Sequence, residues 1–297
     1  GALSDGEQYT YNELSFENGG DLAVTNVTLA NADAPSSAVI ETGVLDLTGS
    51  GTLSVSAEID ESFDILANDQ DIYESTLIHY GELKGEPDNL NPSTDFSASE
   101  IQQHNETVAF VKWTGDIVFG EGDEDDDQDG TVGMSYSVES IQLYDESGAG
   151  LVLQTTNATG VDAALSALVT DYVDASGTTL AAGNITFSGG NITIGAGTAD
   201  EKANSYTGTT YVTAGSVTLN KSGSFGKTEL LNVAGGEVDF NGRSEMLGAI
   251  NVGTSGSITG SGSVTLGSAD YENRTSSISG AHSGFTADVV LANGHTL

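Results

Sequence analysis

Cysteine is absent from the 297 residues, proline occurs three times, and only 7 Lys and Arg stand against 44 Asp and Glu, a formal charge of −37. Each scarcity excludes something. Without Cys there is no disulfide framework, no zinc–thiolate site and no thiol nucleophile. With so few cations the chain lacks the clustered Lys and Arg that displace counterions from a phosphate backbone, so nucleic acid is excluded as a partner. The same sign argument excludes anionic membrane surfaces. No run approaches the ~20 apolar residues needed to span a bilayer, and nothing reads as a signal-peptide core, so this chain is not expected to insert in a membrane. A Cys-free chain also suits export in an unfolded state, where a premature disulfide would block passage.

Glycine is abundant, 39 residues of 297, where average usage is ~7%. It recurs at the head of one short phrase. Gly190-Asn-Ile-Thr-Ile194, Gly215-Ser-Val-Thr-Leu219, Gly236-Glu-Val-Asp-Phe240 and Gly256-Ser-Ile-Thr-Gly260 follow one another at spacings of 25, 21 and 20 residues. Gly262-Ser-Val-Thr-Leu266 repeats it once more, and Gly20–Val24, Gly43–Leu47 and Gly51–Val55 carry the same pattern near the N-terminus. A turn residue followed by strict apolar/polar alternation is the signature of a strand with one buried face. Val217 and Leu219 should point inward, with Ser216 and Thr218 facing water. Self-similarity at 20–25 residues predicts an all-β fold, a parallel β-helix solenoid whose inward Val, Ile, Leu and Phe stack in ladders ~4.8 Å apart. A β-sandwich is the rival; the near-constant spacing favours the solenoid.

Charge divides the chain into three. Residues 57–150 hold 24 of the acids and two Lys, whereas 1–56 hold 8 acids and 151–297 hold 12. The expected organisation is β-helix coils over 1–56, an acidic, loop-rich insertion with some strands over 57–150, and further coils over 151–297. Val161, Ala164, Leu165, Leu168, Val169 and Tyr172 fall at helical spacing, which predicts one short packing helix near 161–173.

The stretch Asn204-Ser-Tyr206-Thr-Gly208-Thr-Thr210-Tyr-Val212-Thr-Ala-Gly215-Ser-Val217-Thr-Leu219 resembles the passenger-associated repeat of bacterial autotransporters, N-x-Y-x-G-x-T-x-I/V-x-x-G-x-L/V-x-L. The likeness continues through 204–240 in Leu230-Leu-Asn-Val233 and Gly235-Gly-Glu-Val-Asp-Phe240, covers 180–297 well and 10–56 loosely, and leaves the acidic segment uncovered. It implies a right-handed β-helix displayed on the cell surface or secreted, exported across the outer membrane by a C-terminal barrel that is not among these residues; the chain therefore reads as a fragment. Family members of the AIDA-like and antigen-43-like kind are adhesins and autoaggregation factors. The resemblance thus implies a non-enzymatic role in adhesion, aggregation or biofilm formation, with virulence as its setting. The partner would be a second copy on a neighbouring cell, or a host glycan or protein met by the 57–150 region. A structural stalk or autochaperone role for the repeat is the other implied reading.

Catalysis finds little footing in the residues. No Gly-Asp-Ser-Gly motif occurs, and Gly253-Thr-Ser255-Gly256 and Gly260-Ser-Gly262 are fragments of Gly/Ser turns. His79, His104, His282 and His295 lack metal spacing. Lys221, Lys227, Arg243 and Arg274 have no paired carboxylates beside them in sequence. One acidic motif remains: Asp125-x-Asp127-x-Asp129-Gly130, with Thr131 offering its carbonyl and Val132 the following apolar residue, matches the front half of a Ca²⁺ loop. Position 12 is Tyr136 rather than Glu, which leaves Glu121 or Glu139 as substitutes. The plainer reading is a solvated hairpin tip between Ile117–Phe119 and Met134–Tyr136. Trp113, alternating with Val111, is expected in the core; with Tyr73, Tyr80 and Phe96 near it in sequence, a glycan-stacking face is the alternative.

Overall fold

The structure, a computed structural model, describes residues 2–4, 8–16, 19–29, 39–59, 65–66, 73–121, 129–144, 148, 150–155, 163–174, 176–179, 182–197 and 201–297. It is nearly all β and dominated by parallel pairings, a β-solenoid-like architecture. The chain divides into two compact units. One draws on residues 1–63, 70–99 and 112–139, the other on 64–69, 100–111 and 140–297.

In the second unit the glycine-led phrases are successive strands of one parallel sheet: Asn191–Ile194, Ser216–Leu219, Glu237–Asp239 and Ser257–Thr259. Their register places Ile192, Val217, Val238 and Ile258 in one line. All four are at most 2% exposed. This is how alternation becomes packing. Each coil sets the same side chain over its predecessor, so one apolar position per coil builds a continuous rod of core. A second sheet runs Leu151–Leu153, Ile185–Phe187, Thr210–Val212, Leu231–Val233, Ile250–Val252 and Ser277–Ile278, stacking Leu153, Phe187, Val212, Val233 and Val252 inward. A third holds Arg243–Leu247, Gly262–Leu266 and Asp288–Leu291. The Gly262 phrase therefore belongs to a different face from its four relatives. The edge of Leu151–Leu153 is closed by one side chain: Gln103 accepts the Val152 N–H at 2.8 Å and donates to the Val152 carbonyl at 2.7 Å. Its amide imitates a neighbouring strand.

The helix expected near 161–173 is not formed over its described residues. Ala163–Leu165 and Leu168–Asp171 are strands, and Val161 lies outside the described residues. Two short strands separated by a corner at Ser166-Ala167 put the buried Leu165 and Val169 four residues apart, which imitates helical spacing.

In the first unit, Gly20–Leu29 pairs in parallel with Gly51–Ile59, aligning Gly20 with Gly51, Leu22 with Leu53 and Val24 with Val55. Gly51–Ile59 pairs onward with Leu90–Phe96. Tyr9–Ser15, Ile40–Leu47 and Tyr73–Tyr80 form a second parallel run. Residues of the acidic segment thus contribute strands to the sheets that the N-terminal coils begin. Gly130–Tyr136 then adds antiparallel to Tyr73–Tyr80.

Candidate functional site

The acidic motif is only partly placed. Asp125 and Asp127 lie outside the described residues. Asp129 immediately precedes the strand Gly130–Leu143 and is half-buried, with its Oδ1 enclosed and lacking a hydrogen-bond partner among the described residues. Thr131 lies within that strand, opposite His79, and Gly130 opposes Tyr80. Burial, and secondarily the Asp129 charge, push the Tyr80 phenol up. His79 sits beside Glu41, Nδ1 to Oε2 2.7 Å. Among the described residues, no three His, Cys, Asp or Glu come together as a metal-holding group. The long strands Glu106–Glu121 and Gly130–Leu143 flank the acidic run on either side.

The outer faces of the second unit carry polar ladders. Thr193, Thr218, Asp239 and Thr259 stand in one register line, and Asn191, Ser216, Glu237 and Ser257 in another. The adjoining sheet aligns Thr186, Tyr211, Asn232, Asn251 and Ser277. Neighbouring rungs bond laterally: Ser216 to Asn191 at 2.7 Å, Ser277 to Asn251 at 2.7 Å, and Ser257 to Glu237 at 3.2 Å. These bonds hold hydroxyls and amides in a fixed array.

The residues of the passenger-like repeat are spent on the coil itself. Asn204 accepts the Val169 N–H at 3.0 Å and donates to the Ser224 carbonyl at 2.6 Å, tying its own coil to the two beside it. Tyr206 is 1% exposed, and its hydroxyl meets Thr210 at 2.8 Å. Thr210 reaches Thr228, which bonds the Gly208 carbonyl. Gly215 has φ +74°, and a Cβ there would strike the Gly190 carbonyl oxygen of the coil beneath. Only glycine serves at that corner. Val217 and Leu219 point inward as the alternation predicts.

A buried ionisable group lies where sequence reading put none. Glu245 is 3% exposed and occupies an inward rung of the third sheet, in register with Val264 and Val289. Its carboxylate accepts the N–H groups of Ser224 at 2.8 Å and Phe225 at 3.1 Å. Burial pushes its pKa up to about 7 despite those bonds. Lys221 is also buried, and burial lowers its pKa against the pull of Glu201 and Glu245. Its carboxylate neighbours, missing from the nearby sequence, arrive from adjacent coils. The one readable hint is alternation in Arg243-Ser-Glu-Met-Leu247, which puts Glu245 on the side of Leu247.

The aromatics divide cleanly. Trp113 is 4% exposed, donates its indole N–H to Ser99 at 3.1 Å and meets Tyr136 edge-on. It is a core residue, and Tyr80 is buried as well. Phe110, Tyr144 and Tyr172 instead form a half-buried cluster with centroids 4.5–5.4 Å apart. Tyr172, expected on the apolar stripe of a helix, instead follows the strand Leu168–Asp171. Of the histidines, only His295 is buried, with Nε2 2.8 Å from Ser276 Oγ and Nδ1 enclosed without a partner among the described residues. No protein-family model matches the chain, and neither a curated protein nor a solved structure does so.

Proposed function

We propose that this chain is a stretch of surface-displayed autotransporter passenger, coiled as a right-handed β-helix and acting without catalysis as a cell–cell adhesin. The observation that carries the reading is the set of polar ladders, in which Thr, Ser, Asn and Asp repeat at one rung per coil along parallel sheets. A rigid, repetitive face of weak hydrogen-bonding groups suits homotypic contact, because many small contributions sum when many copies sit on opposing cells. At −37, opposing copies repel at low ionic strength, while a Debye length of ~8 Å in physiological salt removes most of that repulsion. Divalent cations held by Asp125, Asp127, Asp129 and the Thr131 carbonyl, or condensed more loosely on that acidic run, would bridge acidic copies.

The test is settling of cells that display the chain with a barrel supplied, in buffered salt with Ca²⁺ or EDTA, mixed with non-displaying cells. Clumping of displaying cells alone, rising with salt or Ca²⁺, is the expected result. Dispersion under every condition would end the homotypic reading, and clumping strongest at low salt would end its electrostatic part. The interlocked Asn204–Tyr206–Thr210–Thr228 chain favours a second role for 204–240 as a folding or stalk segment. Deleting it should then lower surface display itself.

A further inference from the structure

We propose that Phe110, Tyr144 and Tyr172 form a stacking site for a neutral saccharide, a site that does not depend on the homotypic reading. The three rings come from separate strands or strand ends, brought side by side by pairing. Tyr144 N–H bonds the Val108 carbonyl and Tyr172 N–H bonds the Leu143 carbonyl, both at 2.9 Å. The inner face beneath is already closed: Val108, Val111, Ile141, Leu143 and Val169 are each at most 2% exposed. Alternation sets the rings on the opposite side of their strands from Val111, Leu143 and Val169, where they pack on one another. Phe110 and Tyr172 lie 30° from parallel at 4.5 Å, while Tyr144 stands at 74° and 82° to them. Gln142 and Thr170, half-buried on the same outward positions of their strands, add an amide and a hydroxyl beside the rings.

Size and charge choose the occupant. Aromatic side chains carry ~150–250 Å² of buriable area each, so three half-buried rings that also cover one another offer at most roughly 200 Å² together. That is far below the ~800 Å² per partner of a stable protein interface. It suits the C–H face of one or two pyranose rings, which stack on aromatics while their hydroxyls take hydrogen bonds. At low ionic strength the net charge of −37 disfavours anionic glycans.

Saturation-transfer NMR on the full chain tests this with lactose and cellobiose as neutral probes, 3′-sialyllactose as the anionic one, and an oligolysine peptide. Transfer to the ring protons of at least one neutral disaccharide, and weaker transfer to sialyllactose, is expected. Tyr172→Ala should weaken binding about tenfold. Phe110→Leu, which keeps apolar volume and removes a ring face, should weaken it too, providing a test even if Tyr172→Ala fails to fold. Tyr11→Ala, at an exposed tyrosine of the other unit, should leave it unchanged. The proposal is overturned if neither neutral sugar receives transfer, if binding survives Phe110→Leu, or if only oligolysine binds. Settling assays run on the same variants keep this result separate from homotypic clumping.

Discussion

Replacing Glu245 by Gln should remove a specific slope of stability with pH. In the folded chain burial raises this carboxyl to about 7, against 4.5 for the free side chain. A raised carboxyl favours the folded state when protonated, so its linked stabilisation is complete below pH 4.5 and is lost as pH rises through 7. The difference of 7 − 4.5 corresponds to about 3 kcal/mol. Lys221 runs the other way, since its lowered pKa gives stability that grows as pH rises toward its ordinary value. The 44 acids titrate together in the acid range, so the wild-type profile alone is not diagnostic. The difference between wild type and Glu245→Gln cancels the other acids and leaves Glu245 together with its coupling to Lys221. Gln retains one acceptor oxygen but turns an NH₂ toward either the Ser224 or the Phe225 N–H, a pH-independent cost of about 1–3 kcal/mol. Because stacked coils can open separately, the readout should be local: hydrogen exchange at the Ser224 and Phe225 amides from pH 4.5 to 8, corrected for intrinsic rates. Wild type should lose protection relative to the variant by a free energy of about 3 kcal/mol across that window. A constant difference between the two proteins would refute the assignment of the buried charge.

Other perturbations follow from the same coils. Gly215→Ala meets both a left-handed φ and the Gly190 carbonyl, so a loss of about 1–3 kcal/mol in denaturant unfolding of that unit is expected. Asn204→Ala leaves the buried Val169 N–H and Ser224 carbonyl unpaired; roughly 1–3 kcal/mol should be lost for each, with Val169 amide exchange accelerated. His295 has its pKa lowered by burial, so its contribution is present above the ordinary histidine value and lost as pH falls through the lowered one. Below that point Ile250, whose N–H bonds Ser276 Oγ, should exchange faster in wild type but not in His295→Phe.

The sequence is most readable where one period governs everything. Glycine followed by alternation located the strands Asn191–Ile194 through Ser257–Thr259, and the phrase spacings of 25, 21 and 20 are the register offsets between Ile192, Val217, Val238 and Ile258. Reading fails where two periods coincide. A solenoid corner between Leu165 and Val169 yields the same i, i+4 apolar spacing as a helix, and local pattern cannot separate them. Sites built across coils are the least legible. Glu245 finds its donors about 20 residues back, and the cluster at 110, 144 and 172 exists only once strand pairing is known. Even so, the alternation that buries Val111 and Trp113 also turns Phe110 outward, a signal present in the sequence.

The most direct measurement of the proposed adhesion is clumping by cells displaying a face-altered chain. Thr186→Glu, Asn232→Glu and Thr193→Glu together charge outward rungs that are not register neighbours of one another, without touching the core, and single surface changes of this kind usually cost within about 0.5 kcal/mol. With surface display verified by antibody, the polar ladders as contact face predict that variant cells stay dispersed in physiological salt and fail to join wild-type clumps. Undiminished clumping of the variant would contradict that account.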